Sequence, residues 1–230
     1  MAALGITGTH ARFLDHDVTV LAPYPTWTVQ GTRRMPMIIR AAYEADAPAM
    51  GYLMVETYLA AHRDQMPAAA WAKRATEWTP EVSAQGWART LRELAAATGP
   101  HDCIYVAEDE HGELLGLALG GPANVAGGPP TGAVYALYVR RSAQGRGVGR
   151  RLVHAVAADL AQQGMTALQI GCLAANAPAR RFYEALGGRL VGERLFDEDG
   201  VLLPEVVYGW ADLETLGAHG RGAAGERQRP

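Results

Sequence analysis

Residues 133 to 164 constrain the fold more than any other stretch of this chain. Ala133 to Val139 is an unbroken apolar run of strand length, and Gln144-Gly145-Arg146-Gly147-Val148-Gly149 follows almost at once. Val148, Leu152, Val156 and Leu160 then recur at helical spacing up to Gly164. A strand that empties through alternating glycines into an amphipathic helix is the core of an α/β unit. Glycines at 145, 147 and 149 let backbone amides face outward, and the helix that starts there aims the positive end of its dipole at the same point. The result is an anion cradle suited to a pyrophosphate. A dinucleotide-binding loop would be followed by an acidic residue at the end of the next strand, where this chain has Cys172-Leu173-Ala174. A P-loop would carry Lys after the last glycine, where Arg150 stands.

The flanking sequence keeps the mixed order. A strand is expected over 37–42, then a helix opened by Asp46 and Pro48 with Met50, Leu53, Met54, Thr57, Tyr58 and Ala61 on its buried side. Residues 67–97 read as helical with a break at Thr79-Pro80, and Trp71, Trp78, Trp87, Leu91 and Leu94 are candidates for the buried face. Strands follow over 103–107 and 114–120, joined by an acidic turn. After the glycine loop and its helix come a strand at 168–173, a helix at 177–186 capped by Asn176 and stopped by Gly187-Gly188, and strands at 189–195 and 205–210. Asp197-Glu198-Asp199-Gly200 reads as part of the turn between the last two. One domain over 37–212 is expected, preceded by a poorly ordered extension over 1–36, in which Val18, Val20 and Ala22 fit a short strand, and followed by a loose tail over 213–230.

Composition excludes several classes. Of 230 residues, 49% are hydrophobic and 20% charged, which fits a globular domain rather than a disordered chain. The net charge of −3 offers no electrostatic footprint for nucleic acid. No apolar stretch approaches membrane-spanning length, and Cys103 and Cys172 lack the density of a secreted disulfide scaffold, so a reduced cytoplasmic setting is expected. The seven histidines show no pair at metal-ligand spacing, so no metal is expected.

Tyr135-Ala136-Leu137-Tyr138-Val139, the Gln144 to Gly149 loop and Asn176-Ala177-Pro178-Ala179-Arg180-Arg181-Phe182-Tyr183-Glu184-Ala185-Leu186-Gly187-Gly188 occur in this order. In these residues the chain resembles the GNAT superfamily of N-acetyltransferases, from about residue 37 to 210. The resemblance implies a mixed, mostly antiparallel twisted sheet of six to seven strands flanked by helices and splayed between the fourth and fifth core strands. It implies acetyl-CoA as cosubstrate, with the backbone of Leu137, Tyr138 and Val139 pairing with the pantetheine arm. Amides of Gln144, Gly145, Arg146, Gly147, Val148, Gly149 and Arg150 would hold the pyrophosphate. Asn176 would contact the pantetheine or cap the helix beneath it, and Tyr183 would point its hydroxyl at the thioester sulfur. Members are often dimers, so a homodimer is an expectation too.

Acetyl transfer to an amine needs a neutral amine, an oxyanion donor and a proton for the departing thiolate. The backbone N–H of Val139 is the candidate oxyanion donor, and the Tyr183 phenol is the candidate acid. Related sequences place a glutamate near the strand here numbered 133–139 or near the end of the next; this chain has no carboxylate at 133–136 and has Ala174 at the second place. A water relay or an already neutral acceptor is therefore expected in place of a direct carboxylate base. Glu56, Tyr58, Tyr135 and Glu108 are candidates for an acceptor site. Cys172 reads as a buried hydrophobe, and His154 as an exposed helix residue. The function expected is acetylation of a small-molecule primary amine. A protein or peptide acceptor, or a non-catalytic acyl-CoA-binding regulator, are the alternatives.

Overall fold

Every residue of Thr131–Val139 is buried, because helices cover both faces of the sheet to which it belongs. The computed structural model describes residues 18–20, 37–97, 101–123, 128–213 and 216. Its strands are β1 (Val18–Val20), β2 (Met37–Ala41), β3 (Cys103–Asp109), β4 (Leu114–Ala123), β5 (Thr131–Val139), β6 (Ala167–Leu173), β7 (Arg189–Glu198) and β8 (Val201–Trp210). The helices are α1 (Ala47–His62), α2 (Ala68–Glu77), α3 (Pro80–Ala95), α4 (Val148–Gln162) and α5 (Ala177–Ala185). In space the strands run β2-β3-β4-β5-β6-β8-β7, with β1 beside β5. Among the described residues only β5–β6 and β1–β5 pair in parallel.

Two apolar cores follow from the period-two alternation of the strands. On one face α4 and α5 bury Val148, Leu152, Val156, Leu160 and Tyr183 against Leu137, Ile170 and Cys172. On the other, α1 and α3 bury Met50, Leu53, Trp87 and Leu91 against Leu117, Tyr138 and Phe196. The break at Thr79-Pro80 is a helix start: Thr79 Oγ1 accepts from Val82 N at 3.3 Å, and Pro80 occupies the first turn, where its missing N–H costs nothing. Trp87 is the largest side chain fully buried in this second core. Trp87→Ala should therefore destabilise the fold by about 3–5 kcal/mol in denaturant unfolding, whereas a loss below about 1 kcal/mol would mean that the helix layer contributes little to the core.

β5 and β6 pair from Thr131↔Ala167 only as far as Val134↔Ile170. Beyond that point β5 takes β1 as its neighbour, with Val18, Thr19 and Val20 opposite Ala136, Leu137 and Tyr138. The sheet thus splays between the fourth and fifth strands of the continuous path, where the resemblance placed the gap.

The strands expected over 103–107, 114–120 and 133–139 are each two or three residues longer, and two further boundaries differ from the sequence reading. The last hairpin is longer than expected, because Asp199 and Gly200, at φ 51° and 86°, form a two-residue turn with both residues left-handed. Tight closure carries the strands to Glu198 and Val201, so Glu198 shares the face of Phe196 and is buried rather than lying in a solvated turn. In the expected tail, Leu213 N donates to Thr166 O, and Leu213 and Leu216 are buried in the first core. The remainder of the expected extension and tail, β1 apart, lies outside the described residues.

Candidate active site

The gap presents the backbone edge of β5. Arg140 N–H donates to Leu115 O on β4 at 2.8 Å. Successive amides of a strand point to opposite edges, so the N–H of Val139 points away from β4, into the gap. The carbonyl of Val139 faces the same way and accepts from Gln144 Nε2 at 3.0 Å, which ties the glycine loop to the strand end. That this edge accepts an extended chain is shown by β1, which lies along it.

At the end of β5 the chain turns through Gly145 and Gly147, whose φ values of 71° and 82° are those of left-handed backbone. Residues 145–147 are exposed, and a Cβ at either glycine would meet no atom within 4 Å, so their outer surface is open to a ligand. Gly147 is the N-cap of α4, whose first-turn amides have no intrahelical acceptor. Gly149 serves packing instead: a Cβ there would stand 3.2 Å from the Phe182 ring, so its absence lets α4 and α5 meet.

On the other side of the gap, Asn176 is fully buried and its Oδ1 accepts from Ala179 N at 3.2 Å. Of the two roles expected for it, the structure shows the cap. Seven residues on, Tyr183 is fully buried among Phe182, Tyr208 and Trp210, with ring centroids at 5.4, 5.7 and 6.4 Å. Its hydroxyl has no hydrogen-bond partner among the described residues. Burial pushes the phenol well above its ordinary value, which keeps it protonated and able to donate at neutral pH.

A splayed sheet, an amide directed into its gap, an open glycine loop on a helix start and a tyrosine unpartnered among the described residues thus follow one another along β5, α4 and α5, which share one core. The family model described as acetyltransferase (GNAT) family matches residues 58–188, which hold all four. The chain belongs to the GNAT family. It is similar to the uncharacterized N-acetyltransferase YuaI of Bacillus subtilis, at 35% identity over 113 residues covering 49% of this chain and 65% of that one. It is also 35% identical over 119 residues to mycothiol acetyltransferase of Saccharomonospora viridis, covering 50% of this chain and 39% of that one. The chain thus spans less than two thirds of the length of either relative. Among solved structures, yncA of Salmonella typhimurium, determined with its cofactor acetyl-CoA, shares the fold at a TM-score of 0.53 and 23% identity, covering 77% of this chain and 94% of that one.

The face of the GNAT sheet that carries Tyr138 holds groups the sequence reading did not bring together. Tyr58 is buried and its hydroxyl donates to Glu198; Arg74 of α2 pairs with Glu198 and, at 3.2 Å, with Asp199. The Arg74 guanidinium also lies over the rings of Tyr58 and Trp78, at 5.9 and 5.5 Å. These contacts latch the α2 layer to the tip of the β7–β8 hairpin. His62 packs on Tyr58 at 4.2 Å, and burial pushes its pKa down to about 4, so it is neutral near pH 7. The Tyr138 hydroxyl is fully buried beside this cluster with no partner among the described residues.

The other acceptor candidates do not converge here. Glu56 lies on the exposed side of α1. The Tyr135 hydroxyl donates to Pro122 O on β4 at 2.6 Å. Glu108 accepts from Arg40 Nε at 2.7 Å at the β2–β3 edge. Cys172 is buried, and burial pushes its thiol up to about 12, which suits a hydrophobe and not a nucleophile. His154 is half-buried rather than exposed, with its Nε2 out of solvent. Among the described residues there is no cluster with the makings of a metal site, and no helix is long and apolar enough to cross a membrane.

The carboxylate that the sequence reading missed altogether is Glu205. It lies on β8 opposite Leu173 of β6 and Arg194 of β7, and is 1% exposed. The signal was available: within the strand, Glu205 falls two residues from Leu203 and two from Val207, a charge on an apolar face.

Proposed function

We propose that this GNAT protein moves the acetyl group of acetyl-CoA to a primary amine of a small molecule. The observation that carries the reading is a parted sheet edge into which the Val139 amide points, followed by the open Gly145–Gly147 loop, with Tyr183, its hydroxyl unpartnered among the described residues, buried in the same core as Val139. In this reading the edge of Leu137 to Val139 that faces away from β4 pairs with the pantetheine arm. β1 and that arm are then alternative occupants, since β1 pairs with the same stretch. Amides of Gln144 to Arg150, helped by the side chains of Arg146 and Arg150, hold the pyrophosphate. The Val139 N–H receives the negative charge that builds on the carbonyl oxygen when the amine attacks, and Tyr183 donates to the sulfur as the C–S bond breaks. Two buried free thiols fit a reduced, cytoplasmic setting.

A compact acceptor is favoured over an extended peptide by the latch from Arg74 to Glu198 and Asp199, which closes the α2 layer onto the hairpin across Tyr58. The test is release of CoA thiol across polyamines, amino acids, aminoglycosides and short peptides. Release with a small amine and none with peptides is the expected result; release with peptides alone would overturn the small-molecule assignment. Saturable acetyl-CoA binding with no release from any amine would support the regulator alternative.

A further inference from the structure

The GNAT gap has no carboxylate on β5 at 133–136 and none at residue 174, yet a buried one stands on β8, the strand that pairs with the other edge of β6. Glu205 is registered to Leu173, the last residue of β6, so it lies at the point where β6 has already parted from β5. By strand alternation it shares its face with Leu203, Leu173 and Phe196, and Tyr138 of β5 packs into the same core. Its Oε2 accepts from Arg194 Nε, while its Oε1 is buried with no partner among the described residues. A carboxylate oxygen buried without a hydrogen bond is costly, the more so when it is charged. Packing does not require it, since an apolar residue would fill the same face. Glu205 also borders a cavity of about 380 Å³ together with Ala174, Arg180 and Arg194.

We propose that Glu205 is the base that takes the proton from the acceptor's ammonium group. This assignment rests on the acetyltransferase reading above. Glu205 removes one proton from the ammonium and passes it to solvent through the cavity. The freed nitrogen lone pair forms the C–N bond, and the carbonyl π pair moves to the oxygen beside the Val139 amide. On collapse the C–S bond breaks and its electron pair stays on sulfur. Tyr183 gives its proton to that sulfur and regains one from the nitrogen. One proton thus ends on the thiol and one in solvent.

The groups that face Glu205 set its proton affinity. Burial raises its pKa above the ordinary carboxylate value, opposed by the Arg194 charge on β7. Tyr183 on α5 and Cys172 on β6 feel its charge, and burial holds both neutral near pH 7. Arg180 and Glu193 stand at the cavity border. A raised pKa brings the carboxylate closer to neutrality, where a base is most effective.

The experiment is a pH profile of kcat/KM for Glu205→Gln, with Arg194→Met and the wild type beside it, on an amine that the wild type accepts. At pH 7 the Gln variant should be roughly 100-fold slower, and the deficit should shrink toward high pH, where the amine loses its proton unaided. Arg194→Met removes the charge that lowers the pKa of Glu205, so its acid limb should move to higher pH. A Gln variant within twofold of wild type, or one slowed equally at every pH, would overturn the assignment. An infrared pH titration of the acetyl-CoA-bound protein reads the same group without turnover. A protonated-carboxyl band that titrates above the ordinary Glu range and vanishes in Glu205→Gln supports the proposal, and the absence of such a band refutes it. A wild type that releases no CoA with any amine, while the band is present, would instead count against the acetyltransferase reading.

Discussion

Tyr183→Phe should turn over at least about 100-fold more slowly than wild type near neutral pH while binding acetyl-CoA within about twofold of it. The ring remains, so its packing against Phe182, Tyr208 and Trp210 survives. The hydroxyl lost has no partner among the described residues, so its removal leaves no other buried group unsatisfied. Stability should hold or rise slightly. Because burial keeps the phenol protonated through the neutral range, the defect should be nearly constant with pH, unlike that of Glu205→Gln. Steady-state thiol release and acetyl-CoA calorimetry check both halves. Unchanged turnover would remove Tyr183 from the chemistry, and lost binding would recast it as part of the cofactor groove.

Gly147→Val should weaken acetyl-CoA binding by roughly 100-fold, equivalent to losing one or two charge-assisted hydrogen bonds at about 1.5–3 kcal/mol each. Gly147 sits at φ 82° as the N-cap of α4, where a β-branched residue is strained. The chain responds by turning the loop amides out of line. The added side chain would meet no other atom of the protein within 4 Å, so it projects over the face on which the pyrophosphate is expected to lie. The strain itself costs only about 1–2 kcal/mol, so the fold should persist with a modestly lower Tm. Calorimetry with acetyl-CoA, paired with a melting curve, separates the two effects; undiminished affinity in the folded variant would place the anion elsewhere.

What the sequence revealed and what it hid divide along a physical line. Helical periodicity exposed α4, because all four of its spaced apolar residues face the core, and Thr79-Pro80 marked the α2–α3 boundary through local capping chemistry. The glycine loop and the capped Asn176 helix were legible for the same reason: their geometry is set within a few residues. The sheet's gap was implied only by the family resemblance, since the parting of β5 and β6 after Val134 and Ile170 is a property of paired strands distant in sequence. Glu198 was misread because four consecutive turn-forming residues suggested a loop, whereas Asp199-Gly200 alone closes the hairpin and turns Glu198 inward. Glu205 went unnoticed as a strand's first polar residue. Its meaning depends on the register that sets it opposite Leu173, and register across β6, β8 and β7 is a tertiary fact. Glu56 and Tyr58 lie two apart on α1, so one helix could not direct both to the same site.

The central claim, that the gap beside Val139 and Tyr183 is an acetyl-transfer site, is tested most directly by following free CoA thiol from acetyl-CoA with and without a primary amine. The account predicts release that depends on the amine, saturates with it, and yields acetylated amine in equal amount. Amine-independent thiol release, or none from a protein that binds acetyl-CoA tightly, would contradict it.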